Sequence, residues 1–179
     1  IRYTHINDRA FDYLRKYRVS DDEGVKRGMK DLITLPEMTD IKKANSLPAQ
    51  LRYYGIWSFY HSSLNQLDEA LEALEKALKL WESNAMRSMA NSVAHISVIT
   101  NILGKLNIMG RTNEAPKYLK KLEGIKVAGR RAEVFKFSHV ELQYLLYYMN
   151  AGKLMEALDR ESFINTGMRK FGKQLGDGT

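Results

Sequence analysis

Three short stretches decide the fold: Asn65-Gln66-Leu67-Asp68-Glu69-Ala70-Leu71, Gly110-Arg111-Thr112-Asn113-Glu114-Ala115-Pro116 and Gly152-Lys153-Leu154-Met155-Glu156-Ala157-Leu158. Each reads as a tight break followed by the start of a helix. Gly110 suits the left-handed residue that closes a helix, and Gly152 terminates one in the same way. Ala70 and Ala115 are 45 residues apart, and Ala115 and Ala157 are 42 apart. Gly24 lies 46 residues before Ala70 and marks a degenerate first copy. A small residue recurs there because two antiparallel helices approach most closely just after their turn. A single helical hairpin cannot bury its apolar stripe, so the hairpins must stack.

Working outward, apolar residues fall at helical spacing nearly everywhere. Tyr3, Ile6, Ala10, Tyr13, Leu14 and Tyr17 form one stripe. Ser20, followed by Asp21 and Asp22, reads as a cap with acidic first-turn residues. Val25, Met29, Leu32 and Ile33 continue a helix that must stop before Pro36. Ser46 and Pro48 open the next helix, with Leu51, Tyr54, Trp57, His61 and Leu64 down one side. Asp68 caps a strongly amphipathic helix carrying Ala70, Leu71, Leu74, Ala77, Leu78 and Trp81. A long helix is expected from Met86 to Met109 and another, capped by Thr112, through Ala115, Leu119 and Leu122. Arg130–Met149 and Leu154–Ile164 complete the set. The expected hairpins are therefore 3–35, 46–83, 86–127 and 130–166 in one domain, 1–167. Residues 168–179 are expected to be a frayed, basic, Gly-rich tail.

Composition agrees with a helical core. The 179 residues are 44% hydrophobic and 27% charged, with only three prolines. There is no cysteine, which excludes disulfides, thiolate metal sites and cysteine nucleophiles. The longest stretch without Asp, Glu, Lys or Arg, Ser88–Gly104, carries too many polar groups for a lipid-facing helix. No membrane span or leader pattern is read, so a cytoplasmic location is expected. Opening on Ile1, the chain is expected to be a fragment of a larger multidomain protein.

The Leu51–Asn84 stretch, with Tyr54, Trp57, Leu67, Ala70, Leu74, Ala77 and Leu78 at signature core positions, resembles the tetratricopeptide family. Gly152, Leu154 and Ala157, preceded by Tyr144 and Tyr148, resemble it next best. The middle copy keeps Gly110, Ala115 and Leu119 but carries Leu106 where an aromatic is usual. The resemblance covers about residues 3–166 and departs from the family in its period, which is about 34 residues in the usual repeat. The longer period is similar to that of extended repeats in some bacterial regulators. It implies an all-α fold, a right-handed α-α superhelix of stacked antiparallel hairpins.

The resemblance also implies a concave groove, lined by the first helix of each hairpin, that holds a peptide or protein segment. In that register Arg52, Phe59 and Ser62 come from one hairpin, Ser97, Thr100, Asn101 and Asn107 from the next, and His139, Gln143, Leu146 and Met149 from the last. Lysines and an arginine clamp a C-terminal carboxylate in one subclass of the family. Here only Asn101 matches that clamp by type. Phe59, Leu146 and Met149 can equally be packing residues.

Residues for chemistry are sparse. The four histidines, His5, His61, His95 and His139, form no H-x-x-x-H pair. His61 lies on an apolar stripe and reads as a hydrogen-bonded core residue. Asp21, Asp22 and Glu23, like Asp68, Glu69 and Glu72, sit where a helix N-terminus favours negative charge. No phosphate loop, nucleophile elbow or dinucleotide fingerprint occurs. No catalytic, cofactor or metal site is expected.

Charge is uneven. Residues 1–90 hold 14 basic and 13 acidic residues, and residues 91–179 hold 14 and 8, giving the net +7. Nine Lys or Arg lie between Lys105 and Lys136. Lys117, Lys120 and Lys121 share one helix face, and Arg130 and Arg131 start the following helix. Such a patch favours an acidic partner, or phosphates through counterion release. Aromatics for base stacking are few there. They cluster instead at Tyr53, Tyr54, Trp57, Phe59 and Tyr60 and at Tyr144, Tyr147 and Tyr148, where Tyr53, Tyr60 and Tyr147 exceed what one buried face needs. The expectation is a non-enzymatic scaffold that binds a polypeptide, with a nucleic-acid-binding repeat as the alternative. The apolar ends of such a stack can also pair as a homodimer.

Overall fold

A computed structural model describes residues 2–16, 22–83 and 92–176. Among them are eight α-helices and no strand. The chain divides into two compact units, residues 1–83 and 84–179. The expected cap at Ser20–Asp21 and the expected helix start at Met86 lie outside the described residues.

In the first unit, α1 (Arg2–Lys16) and α2 (Asp22–Ile33) pack on each other and on α3 (Leu47–Ser63), which pairs with α4 (Leu67–Ser83). Pro36 ends the α2 segment as expected and starts a 3₁₀ turn, Pro36–Met38. A second 3₁₀ turn, Ile41–Lys43, is capped by Asp40, whose carboxylate accepts the Lys42 N–H at 2.9 Å. Ser46 caps α3 by accepting the Ala49 N–H at 3.4 Å, and Pro48 occupies the first turn. The core gathers Ile6, Ala10, Met29, Leu32, Met38 and Ile56. Tyr3 joins it with its hydroxyl donated to the Glu37 carbonyl at 2.6 Å, which satisfies its one polar atom. The apolar stripe of α4 is buried along its length, from Ala70 to Trp81.

In the second unit, α5 (Ser92–Ile108) pairs with α6 (Ala115–Gly124), and α7 (Arg130–Asn150) pairs with α8 (Leu154–Gly176). Both α5 and α6 also pack on α7. Thr112 does not cap α6. It begins a 3₁₀ turn, Thr112–Glu114, which places Pro116 in the first turn of α6, where no N–H is needed.

The three breaks that open the sequence argument share one geometry. Asn65, Gly110 and Gly152 have φ of 57°, 69° and 69°. The following N–H reaches back to the His61, Leu106 and Tyr148 carbonyls at 2.9, 2.9 and 2.8 Å. The N–H of each left-handed residue bonds Ser62, Asn107 or Met149 at 3.1–3.2 Å. This is the Schellman closure, which satisfies the last carbonyls of α3, α5 and α7. Ala70, Ala115 and Ala157 are all buried just beyond it.

The Gly-rich segment differs from expectation. It continues α8 to Gly176, and Phe171 is buried with its ring 5.3 Å from that of Phe137. Gly167 is buried under the same Phe137 ring. Its lack of a side chain serves close packing there.

Candidate functional site

The expected groove residues fall on α3 in the first unit and on α5 and α7 in the second. Phe59 packs against the first-unit core, and Arg52 is half-exposed. The Ser62 hydroxyl donates to the Ser58 carbonyl at 2.6 Å. Ser97 and Thr100 likewise donate to the Val93 and Ser97 carbonyls at 2.9 and 3.0 Å, so these hydroxyls have acceptor capacity to offer a ligand. His139 lies 2.8 Å from the Phe135 carbonyl through Nδ1. A carbonyl can only accept, so Nδ1 carries the proton. Asn101 and Met149 are exposed.

Three of the expected residues meet at one place. Asn107, Gln143 and Leu146 line a cavity of about 20 Å³ between α5 and α7, with Tyr147 and Thr112. The Asn150 amide closes this seam by donating to Asn107 Oδ1 and, at 2.7 Å, to the Leu146 carbonyl. Asn150 was not expected. Its place as the last residue of α7 was the signal, since the end of one helix borders the start of the next turn.

The basic stretch is less uniform than its sequence. Lys136 donates to the Glu123 and Ile125 carbonyls at 2.5 and 2.7 Å and so caps the C-terminal end of α6. Arg130 donates to the Lys170 carbonyl at 2.5 Å and lies over the Phe171 ring, 4.6 Å from its centroid. Glu114 pairs with Arg111 at 2.5 Å and with Lys117 at 3.7 Å, which holds its carboxyl below the usual range. Burial pulls the Lys105 ammonium below its ordinary value. Lys120, Lys121 and Arg131 are exposed.

A largely buried ion pair joins α7 and α8. Arg160 Nη2 donates to Glu141 Oε1 at 3.1 Å, with side chains 15% and 11% exposed. Arg160 Nε lies 3.0 Å from Oε2 but outside hydrogen-bond geometry, so that second contact is electrostatic alone. Arg160 also stacks over Tyr144 and Phe163, at 4.3 and 4.9 Å. Burial outweighs this attraction and raises the Glu141 carboxyl. Burial, with the Glu123 carboxylate nearby, pushes the Tyr144 phenol up to about 12.

A second cleft, of about 260 Å³, opens between α3 and α4. Tyr53, Trp57 and His61, one turn apart along α3, form one wall with Tyr54; Glu69, Glu72, Ala73 and Lys76 of α4 form the other. His61 is hydrogen-bonded, Nδ1 to Gln66 Oε1, at 2.8 Å. Trp57 Nε1 is buried and outside hydrogen-bond geometry with the Tyr53 hydroxyl, and burial raises the Tyr53 phenol. The sequence showed this aromatic stripe. It did not show that α4 meets it with acidic residues around a small one.

Among the described residues, no three His, Asp or Glu side chains gather to hold a metal, and no helix is long and apolar enough to cross a membrane. No protein-family model, curated protein or solved structure matches the chain.

Proposed function

We propose that the chain is a tetratricopeptide-like helical repeat, part of a larger protein, that binds a polypeptide segment without catalysing a reaction. In this reading the hairpins form a right-handed superhelix, and the first helices present the ligand surface. The supporting observation is the seam between α5 and α7, where the Asn107, Gln143 and Asn150 amides gather beside Leu146 and Tyr147. Side-chain amides offer donors and acceptors together, which matches the alternating groups of an extended peptide backbone. Exposed Asn101 and Met149 extend the surface along the same two helices.

The nucleic-acid alternative would work through α6 and the start of α7. It is weakened because Arg130 and Lys136 donate to carbonyls and Lys117 pairs with Glu114, so part of the patch's charge is already engaged within the protein. Phosphate binding needs several free cations and is strongly salt-dependent.

Affinity capture from a source lysate separates the two readings. Nuclease-resistant, salt-resistant capture of one protein, lost in Asn107→Ala/Gln143→Ala and kept in Lys120→Glu/Lys121→Glu, is expected. Capture abolished by nuclease or by the lysine changes would overturn the polypeptide reading.

A further inference from the structure

The cleft between α3 and α4 belongs to the first unit, whereas the α5–α7 seam belongs to the second. Its α3 wall is a braced set of rings. The Tyr53 and Trp57 centroids are 6.3 Å apart, Trp57 and His61 5.6 Å, and Tyr60 meets Trp57 edge-on at 5.7 Å. Packed this way, the rings are held in place before any ligand arrives, so little order remains to be imposed on binding. The opposite wall carries Glu69 and Glu72, both exposed at its rim, and Ala73 is buried beneath. An alanine there keeps the space open; a larger side chain on α4 would fill it.

Aromatic faces are negative, and two carboxylates against the one ammonium of Lys76 leave the walls with a formal charge of −1. The site therefore selects for positive charge. Lys76 demonstrates the chemistry: its Nζ sits 2.7 Å from Glu72 Oε1, and that hydrogen bond holds its ammonium above the ordinary lysine value. Lys76 is half-exposed, so it can swing out and give Glu72 to another cation. At about 260 Å³ the space falls just below the range for drug-sized ligands, and admits one headgroup with little of the molecule behind it.

We propose that this cleft binds an organic cation, a guanidinium or methylated ammonium group, between the rings of Tyr53 and Trp57 and the carboxylates of Glu69 and Glu72. A flat guanidinium stacks on a ring and meets a carboxylate edge-on; a methylated ammonium uses the rings more and the carboxylates less. The site is independent of polypeptide binding at the α5–α7 seam, and either can hold without the other.

The test is calorimetric titration of the whole chain with arginine amide and with tetramethylammonium chloride, against potassium chloride at equal ionic strength. The location is read from the two tryptophan indole N–H resonances, assigned with Trp81→Phe. Saturable binding of at least one cation is expected, shifting the Trp57 resonance and leaving that of buried Trp81 in place. Losing one charge-assisted contact in Glu72→Gln should weaken arginine amide by about tenfold, and Lys76→Met, which removes the resident competitor, should tighten it. Arginine amide binding alone identifies a guanidinium site, and tetramethylammonium binding alone an alkylammonium site. Heats matching potassium chloride, an unmoved Trp57 resonance, or affinity unchanged in a helical Glu72→Gln protein would overturn the proposal.

Discussion

Gly167 of α8 lies directly beneath the Phe137 ring of α7, so close that a Cβ at position 167 would overlap the Cζ of that ring. The contact locks the two longest helices of the second unit together beyond their shared turn. Gly167→Ala must push Phe137 aside and disturb its contact with Phe171. Overpacking of this kind costs about 1–3 kcal/mol. At Gly104, inside α5, an added Cβ meets nothing within 4 Å, so Gly104→Ala should stabilise by about 0.5–1 kcal/mol through helix propensity. Urea unfolding of the pair checks the contrast; equal effects would contradict the packing.

That contact also shows where the sequence misled. Glycine content alone marks residues 168–179 as a frayed tail, whereas α8 continues to Gly176. The partner of Gly167, Phe137, lies thirty residues away in the sequence, and only the fold brings it near. The turns were legible for the opposite reason. A left-handed residue followed by a buried alanine is local, and it repeats at Asn65, Gly110 and Gly152. Asn107, Gln143 and Leu146, expected from the register of the resemblance, line one cavity between α5 and α7. Lys136 and Arg130 were not legible, since both spend their charge on carbonyls of other helices, which no sequence pattern encodes.

The three turns predict a graded response. Asn65 has φ 57° with a side chain, so Asn65→Gly should leave stability unchanged or raise it by up to about 1 kcal/mol. Gly110→Ala forces a Cβ into the same region at φ 69° and should cost about 1–2 kcal/mol. Thermal unfolding at matched pH checks both signs.

The Glu141–Arg160 pair should be costly to halve. Arg160→Met leaves a buried carboxylate uncompensated, a loss of about 3–5 kcal/mol at pH 7. Glu141→Leu/Arg160→Met should recover most of it. The pH sign follows from the raised Glu141 carboxyl. The folded state holds this proton more tightly than the unfolded chain, so the burden of the charged form appears as pH rises above the usual carboxylate range. Arg160→Met should therefore regain stability on mild acidification; a deficit that stays flat with pH would contradict this.

Tyr144 offers an alkaline check. Its phenol, raised to about 12 by burial and then by Glu123, keeps its proton after an unfolded tyrosine has lost it. The stability it contributes is whole below pH 10 and disappears as pH rises through about 12. The difference in phenolate absorbance between the native chain and Tyr144→Phe should titrate near that value, and lower in Glu123→Gln.

Polypeptide capture at the α5–α7 seam is tested most directly by selecting a peptide from a random library against the whole chain and mapping it by amide NMR. The side-chain amides of Asn101, Asn107, Gln143 and Asn150 should shift together, with affinity lowered about tenfold or more in Asn107→Ala/Gln143→Ala, as expected for losing two hydrogen bonds. A peptide that shifts only residues around Lys120, Lys121 and Arg131, or that binds the double variant unchanged, would contradict it.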